Sequence, residues 1–109
     1  MENIVEKTLL YDFYGELLTE RRQEIYESVV FNDMSLSEAA EEFGISRQGI
    51  SDMIHRCDEA LKEYESKLHM VASAERVRKL AAEILNEAEN GNDPARVSAL
   101  AKEIMTETE

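Results

Sequence analysis

Proline occurs once in 109 residues, glycine four times, and tryptophan is absent. So few turn-forming residues exclude a β-sandwich or barrel, which needs many tight reversals. A single cysteine, Cys57, excludes an intrachain disulfide and a zinc site of the usual type, and it suits a reducing, cytoplasmic setting. No apolar run approaches the ~18 residues needed to span a bilayer. Residues Met1–Glu6 have neither the basic nor the apolar region of a secretory signal. Basic residues are scarce as well: 12 lysines and arginines stand against 24 acids, a net charge of −12. A nonspecific nucleic-acid coat or a binder of anionic membranes needs the opposite balance. The deficit is uneven. Residues 1–46 hold 11 acids and 3 bases, whereas residues 47–69 hold 5 and 4. Any anion-binding surface is therefore local, and the middle segment is its place.

What is present is helical periodicity. A first helix is expected from about Asn3 to Tyr14, with Leu9, Leu10, Phe13 and Leu17 at helical spacing and Gly15 as its stop. Thr19 is placed to cap a second helix that carries Ile25, Tyr26, Val29 and Val30 and ends near Asn32 and Asp33. Ser35 with Glu38 fits a capping box for a short helix over Leu36 to Phe43, closed by Gly44. Ser46 then caps a long helix from Arg47. Its residues Ile50, Ile54, Cys57, Leu61, Tyr64, Leu68 and Val71 form an a/d seam, and Glu75 interrupts that seam. A second apolar set, Val77, Leu80, Ala81, Ile84, Leu85 and Ala88, runs to Gly91. Asp93 as N-cap and Pro94 at the first helical position start a last helix to about Thr106. The expectation is an all-α fold: a helix-turn-helix domain over 1–70, then a helical extension over 71–109 as a candidate dimerisation segment. The N-terminal half of the seam is expected to pack on the first helix, and its C-terminal half to pair with a second chain.

One motif points to function. Two helices joined by a very tight turn, with Ala40, Gly44 and Ile50 at fixed offsets, are the pattern of a helix-turn-helix. Ala40 sits where two backbones approach, and Gly44 where positive φ costs glycine little. Phe43, Ile45, Ile50 and Ile54 seal the wedge between the helices. The second helix then presents Arg47, Gln48, Ser51, Asp52 and His55, with Arg56 on the flank. Arg47 and Gln48 suit base edges or phosphates, and Ser46 with the helix N-terminus suits a phosphate. A helical corner that only packs or recruits a protein carries the same pattern, and both readings stand.

Other residues carry plainer readings. His55 and His69 lie 14 apart with no third ligand, so no metal is implied. Cys57 on the apolar seam reads as a buried structural thiol. Glu41 and Glu42 read as a solvated helix face. No Gly-rich phosphate loop is present, so no cofactor is implied. No nucleophile, base and orienting group converge, so the chain does not read as an enzyme.

Three blocks of the sequence resemble a known family. Leu10-Tyr11-Asp12-Phe13-Tyr14-Gly15-Glu16-Leu17-Leu18-Thr19 looks like the opening of the YlxM-like family of small bacterial proteins. Ser35-Leu36-Ser37-Glu38-Ala39-Ala40-Glu41-Glu42-Phe43-Gly44-Ile45-Ser46-Arg47-Gln48-Gly49-Ile50 looks like its helix-turn-helix, which is also similar to region four of the bacterial sigma factors. Glu63-Tyr64-Glu65-Ser66-Lys67-Leu68 looks like the end of its core. The match covers about residues 4–70, and residues 71–109 extend past it. The resemblance implies a regulatory protein without enzymatic activity. The family's genes tend to neighbour those of the signal recognition particle, which implies a role in that targeting pathway and its components as partners. Two functions follow as expectations. One is a nucleic-acid-binding regulator acting on DNA or on the particle's RNA. The other is a non-catalytic adaptor that binds a protein of the targeting machinery through its acidic helical surface. Gly49 departs from a good reading helix, where it costs about 1 kcal/mol relative to alanine.

Overall fold

The computed structural model describes residues 4–91 and 93–108, and among them every regular element is helical. The helices are α1 (Ile4–Tyr14), α2 (Glu20–Tyr26), α3 (Leu36–Phe43), α4 (Arg47–Leu68), α5 (Met70–Asn90) and α6 (Pro94–Glu107). The expected first residue of α1, Asn3, lies outside the described residues. The chain divides into two compact units, Met1–Leu68 and His69–Glu109.

Local chemistry sets most of the boundaries. The Arg22 backbone N–H donates to Thr19 Oγ1 at 3.3 Å and caps α2. Ser35 and Glu38 form the reciprocal box at α3: the Glu38 N–H donates to Ser35 Oγ at 3.0 Å, and the Ser35 N–H to Glu38 Oε1 at 3.1 Å. The bond from the Ser35 N–H, and after it the Ser35 hydroxyl, stabilises the ionised Glu38 carboxylate and lowers its pKa. Gly44 ends α3 with φ +70°, a left-handed conformation that only glycine adopts without strain. At the start of α6 the Ala95 N–H donates to Asp93 Oδ1 at 3.1 Å, with Pro94 at the first position.

Gly15 follows the last residue of α1, at the stop expected for that helix; it opens a 3-10 turn, Gly15–Leu17, and a Cβ there would meet the Tyr11 ring at 2.9 Å. Two local expectations change. The second helix does not stay α-helical to Asn32. It widens into a π turn over Glu27–Phe31, closed by the Asn32 N–H on the Glu27 carbonyl at 2.9 Å. The extra residue per turn swings Phe31 onto Tyr11 and Tyr26, with ring centroids 5.3 and 5.8 Å away. The long seam is cut at His69, not at Glu75: His69 takes φ +55°, which no α-helix can pass through, so α4 stops at Leu68 and α5 begins at Met70.

The core of the first unit centres on α4. Ile50, Cys57 and Leu61 are fully buried, as are Ile25, Tyr26 and Ala39. The N-terminal half of the seam is thus spent inside its own chain, while Leu68 at its end stays exposed. Burial raises the pKa of the Cys57 thiol, against the lowering field of Arg22, and keeps it in its unreactive form. Two acids tie α1 and α2 to α4. Tyr26 Oη donates to Asp58 Oδ1 at 2.6 Å, and Lys7 Nζ to Asp58 Oδ2 at 3.3 Å. Tyr14 Oη donates to Glu65 Oε1 at 2.6 Å.

These phenols predict an alkaline limit to the fold. Burial first, then the bond to Asp58, raises the Tyr26 pKa above its ordinary value of 10.0. Burial and the nearby Glu27 push Tyr11 up to about 12. Both groups hold their protons more tightly when folded, so their contribution is complete below pH 10 and is lost as the pH rises past it. Ultraviolet titration should show Tyr11 and Tyr26 ionising together with loss of helix. Ionisation of every phenol near 10 with the helical signal intact would contradict this.

Candidate nucleic-acid interface

The helix-turn-helix is built from α3, the turn Gly44–Ser46 and α4. Ala39 is fully buried against Ile25 and Ile50, and Val29, Leu36, Ala40, Phe43, Ile45 and Ile54 pack around them. The turn closes on one acceptor, the Ala40 carbonyl, which takes the N–H of Gly44 and that of Ile45 at 3.1 Å. Arg21 completes the corner by donating from Nη2 to the Phe43 carbonyl at 2.8 Å. It satisfies one of the carbonyls that a helix end leaves without a partner and sets a cation at the negative end of α3. Nothing in the sequence signals a bond to a carbonyl 22 residues away.

Ser46 caps α4. The Gly49 N–H donates to Ser46 Oγ at 3.0 Å. A Cβ on Gly49 would meet that same oxygen at 3.1 Å, so the glycine leaves room for the cap. Its helix-propensity cost is offset by a satisfied helix terminus.

With Ile50 pointing into the core, the 100° step of an α-helix orders the outer residues of α4. Arg47, Ser51, His55, Gln48, Asp52 and Arg56 follow one another around an arc of about 180°. Arg47 and Arg56 bound that arc on opposite flanks, about 14 Å apart along the axis. Arg47, Gln48, Asp52, His55 and Arg56 are exposed, and Ser51 is half-buried. Leu36 of α3 joins Arg47, Gln48 and Ser51 around a shallow recess of about 340 Å³. The middle of the arc is already hydrogen-bonded. Gln48 Nε2 donates to Asp52 Oδ1 at 2.9 Å, and His55 Nε2 lies 2.6 Å from Glu59 Oε1. The structure therefore brings Arg47, Gln48 and Ser51 together, pairs Asp52 with Gln48, sets Arg56 apart, and uses Ser46 as a cap.

Among the described residues no three His, Cys, Asp or Glu side chains converge to hold a metal ion. No helix among them is long and apolar enough to cross a membrane.

Comparison with known proteins agrees with this architecture. The UPF0122 family model, "Putative helix-turn-helix protein, YlxM / p13 like", matches residues 1–100. The chain is similar to the UPF0122 protein of Symbiobacterium thermophilum, 41% identical over 99 residues that cover 91% of this chain and 89% of that protein. It is also similar to the UPF0122 protein of a Thermoanaerobacter species, 40% identical over 108 residues, 94% of this chain and 90% of the other. The likeness runs well past residue 70, where the sequence blocks end. The segment after the helix-turn-helix is shared with these relatives and is not an appendage of this chain alone.

Proposed function

The chain belongs to the UPF0122 family of YlxM / p13-like helix-turn-helix proteins, and from that premise we propose that it is a regulator that binds nucleic acid through the outer arc of α4. The observation that carries the reading is the placement of Arg47 and Arg56 on opposite flanks of one helix. A helix seated in a major groove about 12 Å wide has a phosphate strand on each side. Arg47 faces one strand and Arg56 the other, and Ser51, Gln48 and His55 lie between them toward the base edges. The reading is one of binding without catalysis. It includes action in the cytoplasm on the signal recognition particle pathway, as the resemblance implies, and pairing of two copies through the segment beyond about Leu61.

A second reading is favoured by charge. Asp52 and Glu59 sit within the α4 arc, and residues 1–46 carry 11 acids against 3 bases. An acidic surface of that kind suits an adaptor that docks on a basic protein of the targeting machinery.

A salt titration separates the two. About 2–3 phosphates neutralised per chain give a slope of log K against log salt of about −2 to −5, the steeper value for a dimer on B-DNA. Binding to duplex DNA and to the particle's RNA should be weak at physiological salt and measurable at low salt. Arg47→Ala with Arg56→Ala should remove it. Equal binding by wild type and double variant places the contact elsewhere. No binding of either ligand to wild type at low salt makes the adaptor the better reading.

A further inference from the structure

The second unit is a hairpin of α5 and α6 with two unlike faces. Among its described residues Leu80 and Leu100 are the buried ones, a very small core for about 40 residues. Around them one side is charged. Arg76 Nε bonds Glu107 Oε1 at 2.6 Å, and Lys79, Glu83 and Glu103 line the same side. Stepping 100° per residue the other way from the buried contacts gives Ala74, Arg78, Ala81, Leu85 and Ala88 on α5 and Pro94, Ser98, Ala101 and Met105 on α6. Because the helices are antiparallel, both stripes fall on one side of the hairpin. Leu85 is 60% exposed there and Met105 67%.

We propose that this face is the contact between two copies of the chain, stacked antiparallel about a two-fold axis at Ala101. The inference deepens the pairing proposed above by naming its surface. Four features select a second copy as the occupant. The first is charge: a chain of net charge −12 repels itself except where acids are absent, and the stripe holds no acid, with Arg78 as its charged residue. The second is shape. At the loop end the face has a hollow of about 370 Å³ lined by Ala88, Pro94, Val97 and Ser98, flanked by Glu87 and Asp93. Met105 stands at the opposite end. Ala101 lies near the midpoint between Ser98 and Met105, so a two-fold axis there lays Met105 of one copy over the hollow of the other. The third is complementarity: Arg78, at the edge of the face beside the open end, then approaches Glu87 and Asp93 of the second copy. The fourth is closeness: the alanines let the helices approach and complete a four-helix core that neither hairpin has alone. The footprint is small. α6 spans about 21 Å and two helices side by side about 20 Å, so each copy contributes about 400 Å², about half of what a partner gives to a standard interface, and the pairing is expected to be weak.

The test is sedimentation of the full chain from 1 to 500 µM (roughly micromolar to submillimolar, as a weak interface requires). Wild type should move from 12.5 kDa toward about 25 kDa across that range. Leu85→Glu with Met105→Glu should hold the chain at 12.5 kDa with its helical signal kept, while Lys79→Glu on the other side should not. Ala101→Cys should cross-link to the dimer under mild oxidation. Wild type that stays monomeric overturns both the pairing and the face. A dimer that persists in the double variant, or that Ala101→Cys fails to cross-link, overturns the face alone. Either result leaves the loss of binding in Arg47→Ala with Arg56→Ala as the separate test of the nucleic-acid reading, and a monomer only moves the expected salt slope to its shallow end.

Discussion

Asp58→Ala is expected to lower stability by about 2–4 kcal/mol, a drop in Tm of about 10–25 °C for a unit of this size. Tyr26 is fully buried, and Asp58 Oδ1 is the acceptor for its hydroxyl at 2.6 Å. Removing the carboxylate leaves that hydroxyl in the core without a partner and leaves Lys7 without its counter-ion. The Asp58 side chain is only 16% exposed, so solvent does little to replace either bond. Tyr26→Phe removes donor and penalty together and should cost only about 1 kcal/mol. Asp58→Asn keeps an acceptor and should fall between. Thermal and urea unfolding followed by circular dichroism give the ordering. An alanine variant within 0.5 kcal/mol of wild type, smaller than a single ordinary hydrogen bond, would show that the network carries no stability.

The second large effect is expected at Ile50. Its side chain is fully buried between Ile25 and Ala39, where α2, α3 and α4 meet. Ile50→Ala should cost about 3–5 kcal/mol, the transfer loss plus a cavity that three helices cannot close. Ile50→Val should cost about 1 kcal/mol. Because Ile50 sets the seating of α4 on α3, the nucleic-acid binding proposed for the arc of α4 should also weaken in the alanine variant at temperatures where it is still folded. Urea titration at 10 °C separates lost fold from lost contact. A loss of less than 1 kcal/mol for the alanine variant would mean that the site repacks.

Much of this architecture is legible in the sequence because it is local. Thr19, the Ser35–Glu38 pair, Gly44, Ser46 and the Asp93–Pro94 pair each act within four residues, and each caps or closes the helix they were expected to. The hidden features are those that depend on distance. Asp58 and Glu65 read as ordinary polar positions until Tyr26 and Tyr14 arrive from elements 32 and 51 residues away. Arg21 gave no sign of its bond to the Phe43 carbonyl. The π turn goes with the packing of Phe31 on Tyr26 and on Tyr11, the latter distant in sequence, which periodicity does not announce. Gly49 read as a weakness in the reading helix, yet the oxygen that crowds it belongs to the cap. At the site itself, residue type gave the arc of α4, but the pairing of Gln48 with Asp52 emerged only from side-chain geometry.

The left-handed residue at His69 has a consequence for how the molecule comes apart. A helix running unbroken from Arg47 to Asn90 would pass cooperativity from one end to the other. With no α-helical hydrogen-bond ladder carried through His69, a separate unfolding transition is expected for each unit. All four tyrosines and all three phenylalanines lie before residue 69. Near-ultraviolet signals therefore report on the first unit alone, while far-ultraviolet helicity reports on both. Heating should bring two midpoints that differ between these probes. The pairing proposed for α5 and α6 adds a further expected result: the midpoint of the later-numbered unit should rise with protein concentration, and that of the first unit should not.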